Sequence, residues 1–122
     1  MKLIKKTLLL RKADYYETHL SIINGVLNPS SRLTPMEITV LARFMCLEGD
    51  LVAHNRFCTA ARKVVKLQLD LSDGGLGNYL KAFRIKGIVL NGDHGIEVIN
   101  NAVTPEHDEQ LYQFKLVKKK NV

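Results

Sequence analysis

Cysteine, tryptophan and long apolar runs are scarce or missing here, and each shortage excludes a class of protein. The 122 residues include two cysteines and no tryptophan. Two cysteines cannot build the disulfide framework of a small secreted domain, so a reducing, cytoplasmic compartment is expected. The apolar runs, such as FMCL and GIVL, are far shorter than the roughly 18 residues of a membrane span. We therefore expect one domain, no membrane partner and no signal peptide.

Motifs for nucleotide binding, metal binding and catalysis are missing too. GGLGN is not GxGxxG, and no GxxxxGK is followed by serine or threonine. Cys46, His54 and Cys58 match no common zinc-finger spacing. The four histidines form no serine-histidine-acid signature, and the acids of 106–109 have no spacing that marks a general acid and base. We expect no catalytic residue, no metal and no cofactor, and hence no enzymatic activity.

Positive charge is concentrated in three places. Residues 1–12 hold five Lys or Arg and no acid, residues 56–86 hold seven against two acids, and 118–120 are all lysine. The segments 13–55 and 87–117 are net acidic. Focused positive charge is typical of a phosphate-binding surface. A solvated basic face on an ordinary protein is the alternative that charge alone leaves open.

Apolar spacing predicts two helices in the first half of the chain. Residues 13–27 place apolar side chains at helical intervals before NPSS breaks the pattern: Tyr16, Leu20, Ile23 and Leu27. The second helix, 34–48, begins with a capping box of Thr34 and Glu37 and ends before Gly49. Its predicted buried stripe is Ile38, Leu41, Ala42 and Met45.

Two short helices separated by a tight turn follow. Thr59 is predicted to cap a helix that ends at Leu69, and Ser72 a second helix that runs to Lys86, with Gly87 after it. The second helix buries one apolar face: Leu76, Tyr79, Leu80 and Phe83. A pair joined by so short a turn is a helix-turn-helix.

The stretch LQLDLSDGGLGNYLKAFRIKGIV resembles the helix-turn-helix and first wing strand of winged-helix DNA-binding proteins. In that family the recognition helix commonly has a serine cap, a leucine, a YL pair and a final KG before an apolar strand. The resemblance implies an α+β fold, a mainly helical winged helix-turn-helix with a C-terminal β-hairpin wing. We divide the chain into a basic N-terminal arm (1–12), one winged-helix domain (13–117) and a basic tail (118–122). RFCTAARK and LSDGGLGNYL also resemble small phage-encoded proteins of unassigned role.

The wing is predicted to contain three strands, at 88–90, 96–99 and 111–117, with a turn at Asn91 and Gly92. Alternation in the third strand predicts one buried face, formed by Tyr112, Phe114 and Leu116. Five acids in and after the hairpin would repel DNA and favour a protein partner at the acidic wing: Asp93, Glu97, Glu106, Asp108 and Glu109.

Three glycines open the predicted recognition helix, although each costs about 1 kcal/mol relative to alanine in a helix interior. For Gly74 we predict a function, because a bare first turn lets backbone N–H groups approach a phosphate at the positive end of the helix dipole. Gly75 and Gly77 are predicted to pack closely against the preceding helix. A helix that begins late, near Leu76, is the alternative.

These patterns predict a protein that binds double-stranded DNA, acting as a transcriptional regulator. The groove-facing residues would be Ser72, Gly74, Asn78 and Lys81, and the phosphate-binding residues Arg56, Arg62, Lys63, Lys66 and Arg84. The arm and the tail would follow the backbone or a minor groove. A homodimer through the apolar face of residues 13–27 is expected. The alternative function is a phage structural or packaging component that uses the same fold for protein contacts or non-specific DNA contacts.

Overall fold

Four successive helices and a hairpin form the packed part of the chain. The computed structural model describes residues 1–106 and 108–120. The elements are α1 (Lys12–Asn24), α2 (Pro35–Cys46), α3 (Thr59–Leu69), α4 (Asp73–Ile85), β1 (Val89–Asn91) and β2 (Glu97–Ile99). Single 3-10 turns lie between them at Pro29–Ser31, Gly49–Leu51 and Asp93–Gly95, and another follows β2 at Asn101–Val103. The predicted α+β class, mainly helical with a β-hairpin wing, is confirmed.

Helix α2 lies at the centre of the core, with α1 and α3 both packed against it. It begins with the predicted capping box, in which the Thr34 hydroxyl accepts from the Glu37 N–H at 3.2 Å and a Glu37 carboxylate oxygen accepts from the Thr34 N–H at 2.7 Å. This box satisfies two of the N–H groups that a helix start leaves unbonded. The whole predicted stripe is buried: Ile38, Leu41, Ala42 and Met45.

The end of α2 differs from the prediction. The helix ends at Cys46 instead of 48, and Arg56 explains the change. Its Nη1 donates to the carbonyls of Phe44 at 2.9 Å and Leu47 at 2.8 Å. The Arg56 side chain therefore donates to carbonyls at the end of α2. In a longer helix, these carbonyls would accept from N–H groups of the next turn.

Helix α1 presents its apolar face to the core. Leu20 is fully buried, and Tyr16 and Ile23 pack against the same cluster. The helix ends at Asn24 and not at the predicted 27, so Leu27 packs against the core from the segment after it. Of the side chains expected at a dimer contact, Leu20, Tyr16 and Ile23 therefore pack against the core, whereas Tyr15 is half-buried outside that cluster.

Helix α3 starts one residue differently from the prediction, with Cys58 as its cap in place of Thr59. The Cys58 Sγ accepts from the Ala61 N–H at 3.4 Å and donates to the Leu51 carbonyl at 3.2 Å. The thiol therefore takes the capping role that a hydroxyl usually has.

The hairpin pairs Val89 with Ile99 and Asn91 with Glu97, so its loop is longer than the predicted two-residue turn. Gly92 is the first residue of this loop. Glycine fits there because a β-carbon would lie 2.9 Å from the Ile96 carbonyl oxygen. At the loop tip His94 has a positive φ of 57°.

The prediction of a third strand at 111–117 is wrong. The segment forms no strand, and Phe114 and Leu116 are exposed. Tyr112 is drawn to α1, where its hydroxyl bonds Nδ1 of the buried His19, and Nε2 of His19 donates to the Val103 carbonyl at 2.9 Å. Burial lowers the pKa of His19 despite the opposing effect of that carbonyl, and because a carbonyl oxygen can only accept, Nε2 carries a proton.

Candidate nucleic-acid interface

The turn between α3 and α4 sets the angle at which the two helices meet. Asp70 adopts a left-handed conformation with φ 52°, and the Leu71 N–H donates to the Lys66 carbonyl at 2.9 Å. The Ser72 hydroxyl then accepts from the Gly75 N–H at 3.0 Å. This confirms the predicted cap, and because α4 already begins at Asp73 the late start near Leu76 is excluded.

The outward face of α4 carries the residues expected to enter a DNA groove. Leu76, Leu80 and Phe83 are buried as predicted, with Tyr79 half-buried beside them. The exposed residues on the other side of the helix are Gly74, Gly77, Asn78, Lys81 and Ile85. Asn78 and Lys81 therefore present an amide and an ammonium group to solvent from one face of a rigid helix.

The glycines leave the first turns of α4 open. A β-carbon built at Gly74 or Gly77 meets no atom within 4 Å, and one at Gly75 meets the Ser72 hydroxyl oxygen at 3.1 Å. The prediction that Gly75 and Gly77 pack against the preceding helix is therefore wrong. The bare backbone faces solvent, so no neighbouring side chain accounts for Gly74 or Gly77.

Substituting Gly74 and Gly77 together with alanine should stabilise the fold by roughly 1 to 2 kcal/mol, because alanine is the better helix former and the added methyl groups meet no obstacle. The same variant should bind DNA more weakly if the bare turns serve close backbone approach. Urea unfolding and a DNA titration measure the two effects separately. Gly25→Ala, outside α4, is the matched control for binding. Unchanged DNA affinity in the double variant would refute a binding role for these glycines.

A groove of about 360 Å³ separates the exposed sides of α3 and α4. Arg62, Lys63 and Lys66 line it from α3, and Asp73 and Gly77 line it from α4. Three bases thus lie beside the open turns of α4, where the positive end of the helix dipole adds to their field. We call the exposed face of α4 together with this groove the α3–α4 surface.

One of the three bases is already neutralised. Lys66 Nζ lies 2.5 Å from a carboxylate oxygen of Asp73, and the hydrogen bond from Lys66 lowers the pKa of Asp73. Arg62 and Lys63 are exposed and form no ion pair within residues 1–106 and 108–120. These two carry the available positive charge of α3.

Arg84 connects α4 to the wing. Its guanidinium makes a two-pronged contact with Glu97 of β2, at 2.6 Å and 2.9 Å. The hydrogen bond from Arg84 lowers the pKa of Glu97, and the charge of Arg62 adds a smaller effect in the same direction. The wing acid that was expected to repel DNA therefore has its charge compensated by α4.

The nine residues predicted to contact DNA thus fall into three groups. Those on the α3–α4 surface are Ser72, Gly74, Asn78, Lys81, Arg62, Lys63 and Lys66. Arg84 lies at the junction with the wing, and Arg56 lies at the end of α2, where backbone carbonyls occupy its Nη1. The sequence showed neither Asp73 nor Glu97 as a partner of a base, since charge counts carry no information on pairing.

In the described part of the chain, no three His, Cys, Asp or Glu side chains are grouped to hold a metal ion, and no helix is long and apolar enough to cross a bilayer. No protein-family model, curated protein or solved structure matches this chain. Its function must therefore be argued from the chemistry of the site.

Proposed function

We propose that this protein binds double-stranded DNA with a sequence preference, as a transcriptional regulator, by placing α4 in the major groove. The observation that carries the proposal is the exposed polar face of α4, whose open first turns lie beside Arg62 and Lys63. A helix of this diameter fits the major groove of B-DNA. The arrangement of α3, α4 and hairpin supports a winged-helix mode of docking.

Each group on the α3–α4 surface has a distinct proposed role. Asn78 has the amide geometry for a two-pronged contact with adenine, and Lys81 can donate to guanine or to a phosphate. Arg62 and Lys63 bind phosphates, which positions the protein without distinguishing bases. Lys66 contributes less, because Asp73 already binds it. The basic arm and tail would add contacts to the DNA backbone.

Removing the Asn78 amide tests whether α4 distinguishes bases. Asn78→Ala should cost about 1 to 3 kcal/mol of affinity for a site selected from random DNA, and little for unselected DNA. Fluorescence anisotropy with both DNAs measures the difference. Gln68→Ala is the matched control, since it removes an exposed amide from α3. Equal losses on both DNAs would contradict base recognition by Asn78.

One observation favours the alternative, a phage structural or packaging component that uses this fold for protein contacts. Ile85 is 76% exposed on the outward face of α4, while Arg84 and Lys66 are both bound to acids. A protein partner would cover such an apolar side chain. A salt titration separates the two functions, because phosphate binding must weaken steeply as salt rises. Absence of binding to mixed-sequence DNA at low salt would favour the alternative.

A partner at the acidic wing remains a proposal within that alternative. Glu97 is held by Arg84, which leaves Asp93 as the exposed acid of the hairpin loop. Of the three acids that follow the hairpin, Asp108 and Glu109 line a groove beside the start of α1. An acidic contact would therefore lie near α1 instead of at the wing tip.

A further inference from the structure

An open groove of about 810 Å³ lies beside the start of α1, away from the α3–α4 surface. Tyr15 and Tyr16 form its aromatic wall, and Glu48, Asp108 and Glu109 bring carboxylates to it. Burial raises the pKa of Tyr15, and the charges of Tyr16, Asp108 and Glu109 raise it further. The carboxylates of Asp108 and Glu109 therefore both lie close enough to Tyr15 to affect its titration electrostatically. We call this site the arm groove.

The arm groove suits a segment that is both basic and apolar. Lys12 Nζ already lies 2.5 Å from Glu48, so one base of the N-terminal region is bound to this acidic rim. Asp108 and Glu109 form no ion pair within the described residues. These two carboxylates can therefore pair with two further basic side chains, and the tyrosine rings beside them can contact the apolar neighbours of those bases.

The N-terminal arm has this composition. Residues 1–10 make no hydrogen bond between main-chain groups in the described structure, and their sequence MKLIKKTLLL has three lysines and no acid. Its apolar side chains are exposed, Ile4 to 80% and Leu9 to 95%. A segment whose main-chain N–H and C=O groups form no such bonds can add to another chain segment as a strand.

The arm does not fill the groove of its own chain. Only residues 7–10 border it, and Leu9 remains exposed there. Residues 1–6 lie outside the groove and span about 20 Å when extended, enough to reach a neighbouring molecule. Because the arm and the groove are on the same chain, a two-fold axis lets each copy supply an arm to the other.

We propose that two copies of this chain dimerise by exchanging N-terminal arms. Lys5 and Lys6 of each copy pair with Asp108 and Glu109 of the other, and the apolar residues of the arm pack against the tyrosine wall. This interface uses Tyr15 and Tyr16, of which Tyr16 also borders the core, and does not involve the core residues Leu20 and Ile23. It also leaves the α3–α4 surface of both copies exposed, while Lys5 and Lys6 then serve the dimer and not the DNA backbone.

Charge exchange between two variants tests the proposal on the full-length chain. The arm variant carries Lys5→Glu and Lys6→Glu, and the groove variant carries Asp108→Lys and Glu109→Lys. In sedimentation experiments at micromolar concentration the unaltered protein should be dimeric. Each variant alone should dissociate, with a dimer Kd raised roughly tenfold or more. An equimolar mixture should form dimers again, since the acidic arm of one variant meets the basic groove of the other.

Lys118→Glu with Lys119→Glu is the matched control and should leave the dimer intact. A monomeric unaltered protein would overturn the proposal, whether its arm binds its own groove or serves DNA alone. Variants that stay dimeric, or a mixture no more dimeric than its parts, would overturn it as well. Residues 5, 6, 108 and 109 are exposed, so each variant should fold like the unaltered protein. Circular dichroism checks this.

Discussion

Replacing Glu37 with alanine should lower the free energy of unfolding by about 3 kcal/mol, because the change breaks a buried ion pair and a helix cap together. The Glu37 side chain is 6% exposed, and its Oε1 accepts from the Thr34 N–H and from Lys86 Nζ, the latter at 2.5 Å. Glu37 thus joins the start of α2 to Lys86, the residue that follows the end of α4. Alanine would leave Lys86, 23% exposed, without its acid.

Urea unfolding at neutral pH measures this loss. Glu48→Ala is the matched control, since Glu48 forms its ion pair with Lys12 at the same 2.5 Å but on the surface. An exposed pair of this kind contributes little, so the control should unfold close to the unaltered protein. Equal losses in both variants would show that burial does not strengthen the Glu37 pair.

The contribution of Glu37 should also depend on pH. Burial raises the pKa of Glu37, but the bonds from Lys86 and Thr34 outweigh burial and lower it overall. A carboxylate whose folded pKa lies below its unfolded value stabilises the protein above the unfolded pKa, near 4.5. This stability is lost as pH falls through the lowered folded value. Glu37→Gln should therefore flatten the acid limb of the stability profile.

Features set by neighbours along the chain were predictable from sequence. The capping box of Thr34 and Glu37 and the Ser72 cap depend on residues three positions apart, so the local pattern was sufficient. The buried faces of α2 and α4 followed from helical periodicity. The left-handed glycine after α4, Gly87 with φ 72°, was predicted for the same reason.

Features that depend on distant residues were not predictable. Arg56 shortens α2 from twelve positions away, and Tyr112 leaves the predicted third strand for His19, 93 positions away. Alternating apolar residues in 111–117 are compatible with a strand, but they give no information on which edge would receive it.

The candidate site shows the same division. Sequence periodicity placed Asn78 and Lys81 on the outward face of α4, where the structure has them. Ion pairing determines which basic side chains remain available to bind phosphate. Lys66 and Arg84 are paired with Asp73 and Glu97, and a count of charges along the sequence could not show this. The space around Gly77 likewise depends on the angle between two helices.

Reversing the charge of both available bases of α3 should abolish measurable DNA binding. Each phosphate contact contributes about tenfold in affinity at 50 mM salt through counterion release, so losing two costs about a hundredfold before repulsion is added. Arg62→Glu with Lys63→Glu should do this on selected and unselected DNA alike, because phosphates carry no sequence information. Exposed positions on α3 allow the change without disturbing the core.

Arg32→Glu with Lys115→Glu gives the same net charge at positions that do not line the α3–α4 groove. This control pair should retain most of the affinity, because side chains that contact no phosphate release no counterions from the DNA. A milder variant, Arg62→Ala with Lys63→Ala, should make the salt slope shallower by about two. Equal losses in both reversed pairs would mean that net charge alone drives binding. Intact binding in all three variants would remove α3 from the DNA interface.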